Sequence, residues 1–375
     1  MNFELTEEQQ LLSDSIARFV QDNYSLEDRV KLAGSKEGFS TKHWSTMAEL
    51  GWFALPFDEA DGGFGGTQID TMVIMEQVGK GLVLEPFFAS IVLGGGVLKR
   101  AASAEQKSAL LPGIIDGSRQ LTVGYAEEQA RFDLHDVTTT ARADGDQFVL
   151  NGHKSMVASA ATASQIIVSV RTSGGQIDEN GISLFLVDAD AEGVSLNSFP
   201  TIDGLRASEV TFKDVRVDSA NLIGEIDKGF EVLNAMANDA ILALCAEAVG
   251  AMEILYKDTV AYTQEREQFD HPLSDFQVLQ HRRVEMFMEY EQCKSLLFRA
   301  TMEVAQGDAA TAQRTVHALK HLVGKTGIFI GENAVQTHGG MGMTEELRIG
   351  HYFKRLLVID AQFGNADFHL QKFAA

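Results

Sequence analysis

Proline is scarce in this chain and unevenly placed. Pro56, Pro86, Pro112 and Pro200 precede residue 201, and only Pro272 follows. A proline inside a helix costs about 3 kcal/mol, so the near-absence beyond residue 220 leaves that stretch free to form long helices. Cysteine is scarcer still. Cys245 and Cys293 both lie in apolar helical contexts, which reads as two buried thiols in a reducing compartment rather than a disulfide framework. No run of about 18 apolar residues could span a bilayer. Met1-Asn2-Phe3-Glu4-Leu5-Thr6 leads straight into an acidic helix, without a secretory apolar segment. A soluble, cytoplasmic protein is expected. Basic residues are few: 31 Lys and Arg stand against 53 Asp and Glu, a net charge of −22. That balance argues against nucleic acid, whose phosphates need basic surface, and otherwise bears mainly on solubility. No metal site is expected.

What is present is a chain of 375 residues with 45% hydrophobic content, enough for two or three compact units. Residues 1–120 read as helices and loops. Thr6-Glu7-Glu8-Gln9 suits a helix start, with Thr6 as cap and Gln9 three residues on, and Leu11, Leu12, Ile16, Phe19 and Val20 keep helical spacing. Asp61-Gly62-Gly63-Phe64-Gly65-Gly66 interrupts the pattern. A helix resumes from Thr71 to Val78, with Gly79 and Gly81 suited to its end. Residues 121–222 change character. Val137 to Thr140, Phe148 to Leu150, Ile166 to Val170, Leu184 to Val187 and Val210 to Phe212 are short β-branched or aromatic runs. Asp144-Gly145-Asp146 marks a hairpin turn between two of them. These residues predict a small antiparallel β domain. Residues 223–375 return to helix, with Val249, Met252, Leu255 and Val260 on one face and Leu296, Leu297, Ala300 and Val304 on another.

Two elements in the last third carry chemistry. Gln336-Thr337-His338-Gly339-Gly340-Met341-Gly342 places a glycine cluster inside a helical region, where glycine admits close backbone approach and positive φ. Arg266-Glu267-Gln268-Phe269, with Gln277 behind it, lies upstream. Together they resemble the R-x-x-F and Q-x-x-G-G-x-G elements of the acyl-CoA dehydrogenase family. Further matches follow in family order: Gly51-Trp52 with Leu55-Pro56 and the 62–65 glycines; Asn151-Gly152-His153-Lys154; Gly204-Leu205-Arg206 leading into Val210 to Val217; Leu222-Ile223-Gly224 with Gly229-Phe230. The resemblance covers essentially the whole chain. It implies an α+β fold with an N-terminal helical domain, a middle antiparallel β domain and a C-terminal four-helix bundle. It also implies FAD as cofactor. Arg266 would meet the pyrophosphate, as a guanidinium fork matches paired phosphate oxygens. Phe269 would pack by the adenosine part, and Gln277, Gln336, Gly339 and Gly340 would complete a site that crosses a subunit interface. Met156 and Ala158 stand at the flavin edge, where relatives carry Trp-x-Thr. Asp270 replaces the family glycine after Phe269.

The reaction implied is α,β-dehydrogenation of an acyl-CoA thioester, in which a carboxylate removes the α-proton and donors stabilise the charge on the thioester oxygen. A negative protein can still hold CoA through local basic residues. Both usual positions of the base are vacant. The C-terminal turn carries Phe363 in Gln362-Phe363-Gly364-Asn365, and the helix position eleven residues past Gly229 carries Ala240, followed by Ile241. Glu247 lies two helical turns beyond Ala240 on the same face, among Leu244, Cys245, Ala246, Ala248 and Val249. Together with residues 363–370, it resembles the branch of pimeloyl-CoA dehydrogenase small subunits and heteromeric steroid side-chain acyl-CoA dehydrogenases, in which such a displaced glutamate makes room for bulky acyl groups. Glu247 is therefore the candidate base. The alternative is a structural pairing of Glu247, for instance with a helix-end arginine. Asp239 is a weaker candidate, turned about 100° away. Expected partners are the acyl-CoA substrate, an electron-transfer flavoprotein as acceptor, and either a second copy or a related chain in an α2β2 heterotetramer. Two other functions stay open: a non-catalytic partner subunit, and a flavin oxidase or other thioester-acting relative.

Overall fold

The structure, a computed structural model, describes residues 5–307 and 309–375. Residues 1–4, which belong to the N-terminal stretch read above as lacking a secretory segment, lie outside them. Helix α1 (Glu7–Asn23) begins at the expected cap. Thr6 Oγ1 accepts the Gln9 N–H at 3.2 Å, and the Gln9 side chain accepts the Thr6 N–H at 3.1 Å. Then come α2 (Leu26–Ala33), α3 (Thr41–Glu49), α4 (Gln68–Gly81), α5 (Gly96–Ala101) and α6 (Ala104–Ile115). Pro112 lies inside α6. Before α5, residues Phe88–Gly95 wind as a π-helix. In the glycine loop between α3 and α4, a Cβ on Gly63 would stand 2.1 Å from the Phe57 carbonyl oxygen, so this glycine serves close packing of the chain on itself.

The strands are β1 (Leu121–Gly124), β2 (Thr140–Asp144), β3 (Gln147–Ala158), β4 (Gln165–Arg171), β5 (Ile182–Asp188), β6 (Val194–Pro200), β7 (Arg206–Asp218) and β8 (Leu222–Ile223). After them run α7 (Gly229–Glu265), a two-stranded hairpin of β9 (Glu267–Gln268) and β10 (His271–Pro272), and then α8 (Gln277–Gln306), α9 (Ala309–His338), α10 (Arg348–Ala361) and α11 (Ala366–Ala374). Among the described residues no helix is long and apolar enough to cross a membrane. The chain forms two compact units. A helical unit gathers residues up to 31, 67–83 and 241–375, and a sheet unit gathers 32–66 and 84–240.

The sheet runs β6-β7-β3-β2-β4-β5-β8, with β1 beside β4. The expected hairpin is present: Asp144 pairs with Gln147 around Gly145, whose φ is +65°. Leu150, Val168, Phe185, Val210, Phe212 and Val215 fill the core beneath the sheet. Two features correct the sequence reading. The sheet is mixed rather than wholly antiparallel, because β1 runs parallel to β4 and Thr140 of β2 meets Arg171 of β4 in parallel. A parallel pairing requires a long crossover, and residue alternation carries no signal of strand direction. Val137 to Thr139 are also not strand. The Glu127 carboxylate takes the N–H groups of Thr138 (2.8 Å) and Thr139 (3.1 Å), and the Val137 N–H goes to the Gln176 carbonyl. The β-branched run thus loses its ladder donors to a side chain.

In the helical unit, α9 packs on α8, α10 and α11. Helix α4 ends after Gly81 as expected, but its left-handed cap is Leu82, at φ +49°. Gly79 has another use. A Cβ there would stand 1.9 Å from the Glu247 carbonyl oxygen, and one on Gly250 would stand 2.0 Å from the Glu76 carbonyl oxygen. The two glycines let α4 and α7 meet backbone to backbone at the turn that carries Glu247.

Candidate active site

The Glu247 side chain lies in the interior of the helical unit, where α10 supplies its partner. Arg355 donates from Nε to one carboxylate oxygen at 2.5 Å and from a terminal nitrogen to the other at 2.7 Å. Both side chains are 4% exposed. Among the described residues Arg355 is the only hydrogen-bonding partner of Glu247. The sequence offered two readings of Glu247, a base or a carboxylate paired structurally, for instance with a helix-end arginine; the arginine that meets it, Arg355, lies in the middle of α10 and not at a helix end. The pairing occupies one lone pair on each oxygen, and a carboxylate has about four acceptor positions, so acceptor capacity remains. Asp239, the weaker candidate, is engaged by Arg100. Ala240 is fully buried.

The C-terminal turn that would hold the usual base is a braced apolar corner. Phe363 sits at φ +55° and is buried. The Lys320 ammonium donates to the carbonyls of Ile359 (2.9 Å), Asp360 (2.9 Å) and Gly364 (2.7 Å), so a cation caps the C-terminus of α10. Burial lowers that ammonium to about 8. His369 Nε2 donates to the Phe363 carbonyl at 2.9 Å, and burial pushes the imidazole down to about 3. His317 approaches the other ring nitrogen of His369 at 2.9 Å. Both thiols are free and buried, and burial raises each to about 12.

The two motifs of the last third come together. Tyr262, one helical turn before Arg266, stacks on His338, next to Gly339, with ring centroids 4.2 Å apart. Arg266 is exposed, and among the described residues its guanidinium has no hydrogen-bond or ion-pair partner. The hairpin after it pairs Gln268 with His271, and both turn residues have positive φ, Phe269 at +58° and Asp270 at +65°. Such a turn needs left-handed residues at both positions. Asp tolerates that conformation, which accounts for Asp270 where relatives carry glycine. The turn projects Phe269 outward, 85% exposed. Gln277, Gln336, Gly339 and Gly340 are exposed too, and a Cβ on Gly339 or Gly340 would meet nothing within 4 Å.

Met156 and Ala158 belong to the sheet unit. β3 bulges against β7 between Lys154 and Val157, and Met156 sits on the bulge at φ +53° with its side chain exposed. The Ala158 carbonyl accepts from Thr122 Oγ1 at 2.6 Å. Beneath the bulge the motif lysine is buried: Lys154 donates to Glu127 at 2.6 Å and to Ser169 at 2.9 Å. Burial alone would raise the Glu127 carboxyl. The Lys154 ammonium, with the Thr138 and Gln129 donors, outweighs it and holds the group near about 2. The other motif cation, Arg206, donates to the Ala33 (3.3 Å) and Ser35 (2.6 Å) carbonyls and so closes the end of α2.

Comparison with known proteins decides the family. The N-terminal, middle and C-terminal domain models of acyl-CoA dehydrogenase match residues 6–118, 122–215 and 227–375. The chain belongs to the acyl-CoA dehydrogenase family. It is an oxidoreductase acting on CH–CH bonds, with FAD as its cofactor. A probable acyl-CoA dehydrogenase of Bacillus subtilis, YngJ, is 29% identical over 98% of this chain and 97% of its own. Among solved structures, a point variant of the Tcur3481-Tcur3483 steroid ACAD has a TM-score of 0.88 at 27% identity, covering 98% of this chain and 97% of that one. The FAD complex of PigA has a TM-score of 0.92 at 25% identity, covering 100% and 98%.

The acyl-CoA dehydrogenase residues at hand fit a flavin nucleotide. An exposed guanidinium with its donors available stands beside glycines whose missing side chains leave open space, and an exposed aromatic stands on the adjoining turn. Sequence reasoning missed Arg355, the Tyr262–His338 stack and the Glu127–Lys154 pair. The signal for Arg355 was weak: an arginine inside the amphipathic helix Arg348–Ala361 that turns out to be buried with the apolar face.

Proposed function

We propose that this chain carries out FAD-dependent α,β-dehydrogenation of a bulky or branched acyl-CoA thioester, with Glu247 as the displaced base. The observation that carries the reading is Glu247 itself, a buried carboxylate on the long helix, two turns beyond the vacant position at Ala240. Arg266, Phe269, Gln277, Gln336, Gly339 and Gly340 would hold the dinucleotide, and Met156 and Ala158 would border its ring. When bound, FAD supplies the hydride acceptor. Glu247 accepts the α-proton on an oxygen lone pair that Arg355 leaves available, and Arg355 fixes the carboxylate's rotamer through its planar fork. Alanine at 240 removes side-chain volume from the position where relatives place a carboxylate, which supports a wide acyl group. Electrons leave to an electron-transfer flavoprotein. Phe269, Val278, Val284, Phe287 and Met288 are exposed apolar residues on α8 and the hairpin that precedes it, and Met343 is exposed in the turn after α9; they are suited to burial against a second copy or a related chain in an α2β2 assembly.

One observation favours a second reading, the non-catalytic partner subunit. Protonating Glu247 would remove the carboxylate charge that faces the buried Arg355 guanidinium, a costly change. Glu247→Gln separates the two, assayed in the assembly as purified from its source with a bulky and a straight-chain thioester. The first reading expects turnover to fall roughly 10²–10⁴-fold with flavin retained. Wild-type turnover with flavin intact transfers the role to the partner chain.

A further inference from the structure

Lys80, at the C-terminal end of α4, lies where three helices of the helical unit meet. Its ammonium stands between two carboxylates, 2.8 Å from Glu76 on its own helix and 3.0 Å from Glu253 on α7. All three side chains are mostly buried. The Lys80 backbone carbonyl accepts the hydroxyl of Tyr352, a buried residue of α10. Glu253 is held from α8 as well, by the Tyr290 hydroxyl at 3.2 Å, and by Lys257 from the next turn of α7. The reaction above uses none of these side chains.

The same turn of α4 lies against the residue that carries the base. The missing side chain of Gly79 admits the Glu247 carbonyl, and that of Gly250 admits the Glu76 carbonyl. A Cβ on Gly250 would also stand 3.1 Å from the Lys80 backbone nitrogen. Glu247, Gly250 and Glu253 are spaced by three, so the two backbone contacts and the ion bridge form one row along α7. On α10, Tyr352 precedes Arg355 by three residues and shares its side of the helix. Helix α4 therefore touches α7 at Glu247 and α10 one turn from Arg355, and Lys80 supplies a tie in each direction. Glycine contacts set how closely two helices approach but interlock no side chains of their own. A lysine between two carboxylates does more, because sliding α7 along α4 would draw Glu253 away from the ammonium where water screens the loss little. Buried ion pairs add little net stability for their desolvation cost, and their best-attested use is to set register.

We propose that Lys80 is a positioning residue of the dehydrogenation: its ammonium fixes α7 through Glu253, its carbonyl fixes α10 through Tyr352, and together they hold Glu247 and Arg355 in the two-armed contact from which Glu247 takes the α-proton. The inference rests on the reading of Glu247 as the base. A planar guanidinium meets both carboxylate oxygens in only one relative placement of the two helices, and misplacing a reacting group by about 1 Å can cost about 10²-fold in rate.

Four variants test it in the flavin-loaded assembly as purified. Lys80→Met keeps the aliphatic stem and removes the ion bridge. Tyr352→Phe removes the second tie by one hydroxyl. Lys80→Arg keeps a cation that can reach both carboxylates. Lys257→Met strips Glu253 of a partner on its own helix and controls for general weakening of the cluster. Stopped flow measures flavin reduction by α-protonated and α-deuterated acyl-CoA, steady-state assays give KM, and crystal structures show the Glu247–Arg355 contact. Lys80→Met is expected to slow reduction by about tenfold to hundredfold, to enlarge the isotope effect, and to leave KM and flavin content near wild type. Tyr352→Phe should do the same to a smaller extent, Lys80→Arg should recover most of the rate, and Lys257→Met should change little. In the crystals Lys80→Met and Tyr352→Phe should lose one arm of the fork. Wild-type reduction rates in both of those variants, a loss confined to KM, or an equal loss in Lys257→Met overturns the inference. Should Lys80→Met fail to load flavin, Tyr352→Phe decides by the same criteria. Full turnover in Glu247→Gln would sink the reading of Glu247 as base. The crystal structures would then decide on Lys80 alone, and a fork unchanged in Lys80→Met and Tyr352→Phe overturns its role.

Discussion

Glu127 in the sheet unit and Glu247 in the helical unit are both buried carboxylates facing a buried cation. Their surroundings differ in how far each carboxylate is saturated. Glu127 receives Lys154, the N–H groups of Thr138 and Thr139, the Thr138 hydroxyl and Gln129. Glu247 receives only the two arms of Arg355 among the described residues. The first group organises a loop, fixes where β2 begins and has little acceptor capacity left. The second keeps lone pairs in reserve within an otherwise apolar run. The two sites differ in how many donors surround the carboxylate, which burial and charge pairing alone do not distinguish.

The largest expected effect sharpens that contrast. Glu247→Gln should cut turnover by about 10²–10⁴-fold with flavin and fold intact. Glu127→Gln should reduce stability while leaving turnover per folded, flavin-loaded chain near wild type. Stopped-flow flavin reduction beside thermal melting measures both, and similar turnover losses in the two variants would erase the distinction.

Breaking each pair from the cation side comes next. Arg355→Leu strands the buried Glu247 charge and should destabilise the fold by about 3–5 kcal/mol, much of it recovered in the double variant Glu247→Leu with Arg355→Leu. Lys154→Leu should cost less than that, because Glu127 keeps four other donors. Denaturant titration of the four variants tests the order.

Arg266→Ala removes a charge-assisted contact and should weaken FAD retention by roughly 2–3 kcal/mol, read as flavin per chain after dialysis. Unchanged occupancy would take Arg266 out of the site.

Gly79→Ala pushes a methyl group into the backbone beside Glu247. It should destabilise by about 1–3 kcal/mol and lower turnover as well, whereas an alanine at Gly145, where a Cβ meets nothing within 4 Å, carries only the strain of φ +65° and should leave turnover alone.

Acid gives the mildest test. The folded Glu127 carboxyl lies near about 2, against an ordinary value of 4.5. A depressed group contributes its stability above the unfolded value, so the contribution should persist above about pH 4.5 and fade as pH drops toward 2. Lys154→Leu should flatten that part of the stability curve, measured by melting across the acid range.

Much of this protein was legible in its residues. The capping box at Thr6 and Gln9, the hairpin at Gly145, the order of helix, sheet and helix, and the glycine cluster after His338 depend on neighbours within a few positions, where spacing and propensity act directly. The motif residues Arg266 and Gly339 could be placed in one family pattern, yet only the fold stacks Tyr262 on His338 and so sets the two motifs side by side. Val137 to Thr139 have every local mark of a strand and are not one, because a carboxylate about ten residues away takes N–H groups of that run. The parallel partner of β4 arrives from more than forty residues upstream. Arg355 reaches Glu247 across 108 residues, and Lys320 closes the Phe363 turn across some forty. Local pattern determines which segments become helix or strand and which faces are apolar, because those preferences are summed over adjacent residues. Which donor meets which buried carboxylate is decided by packing, because hydrogen bonds and ion pairs act over about 3 Å of space whatever the separation along the chain.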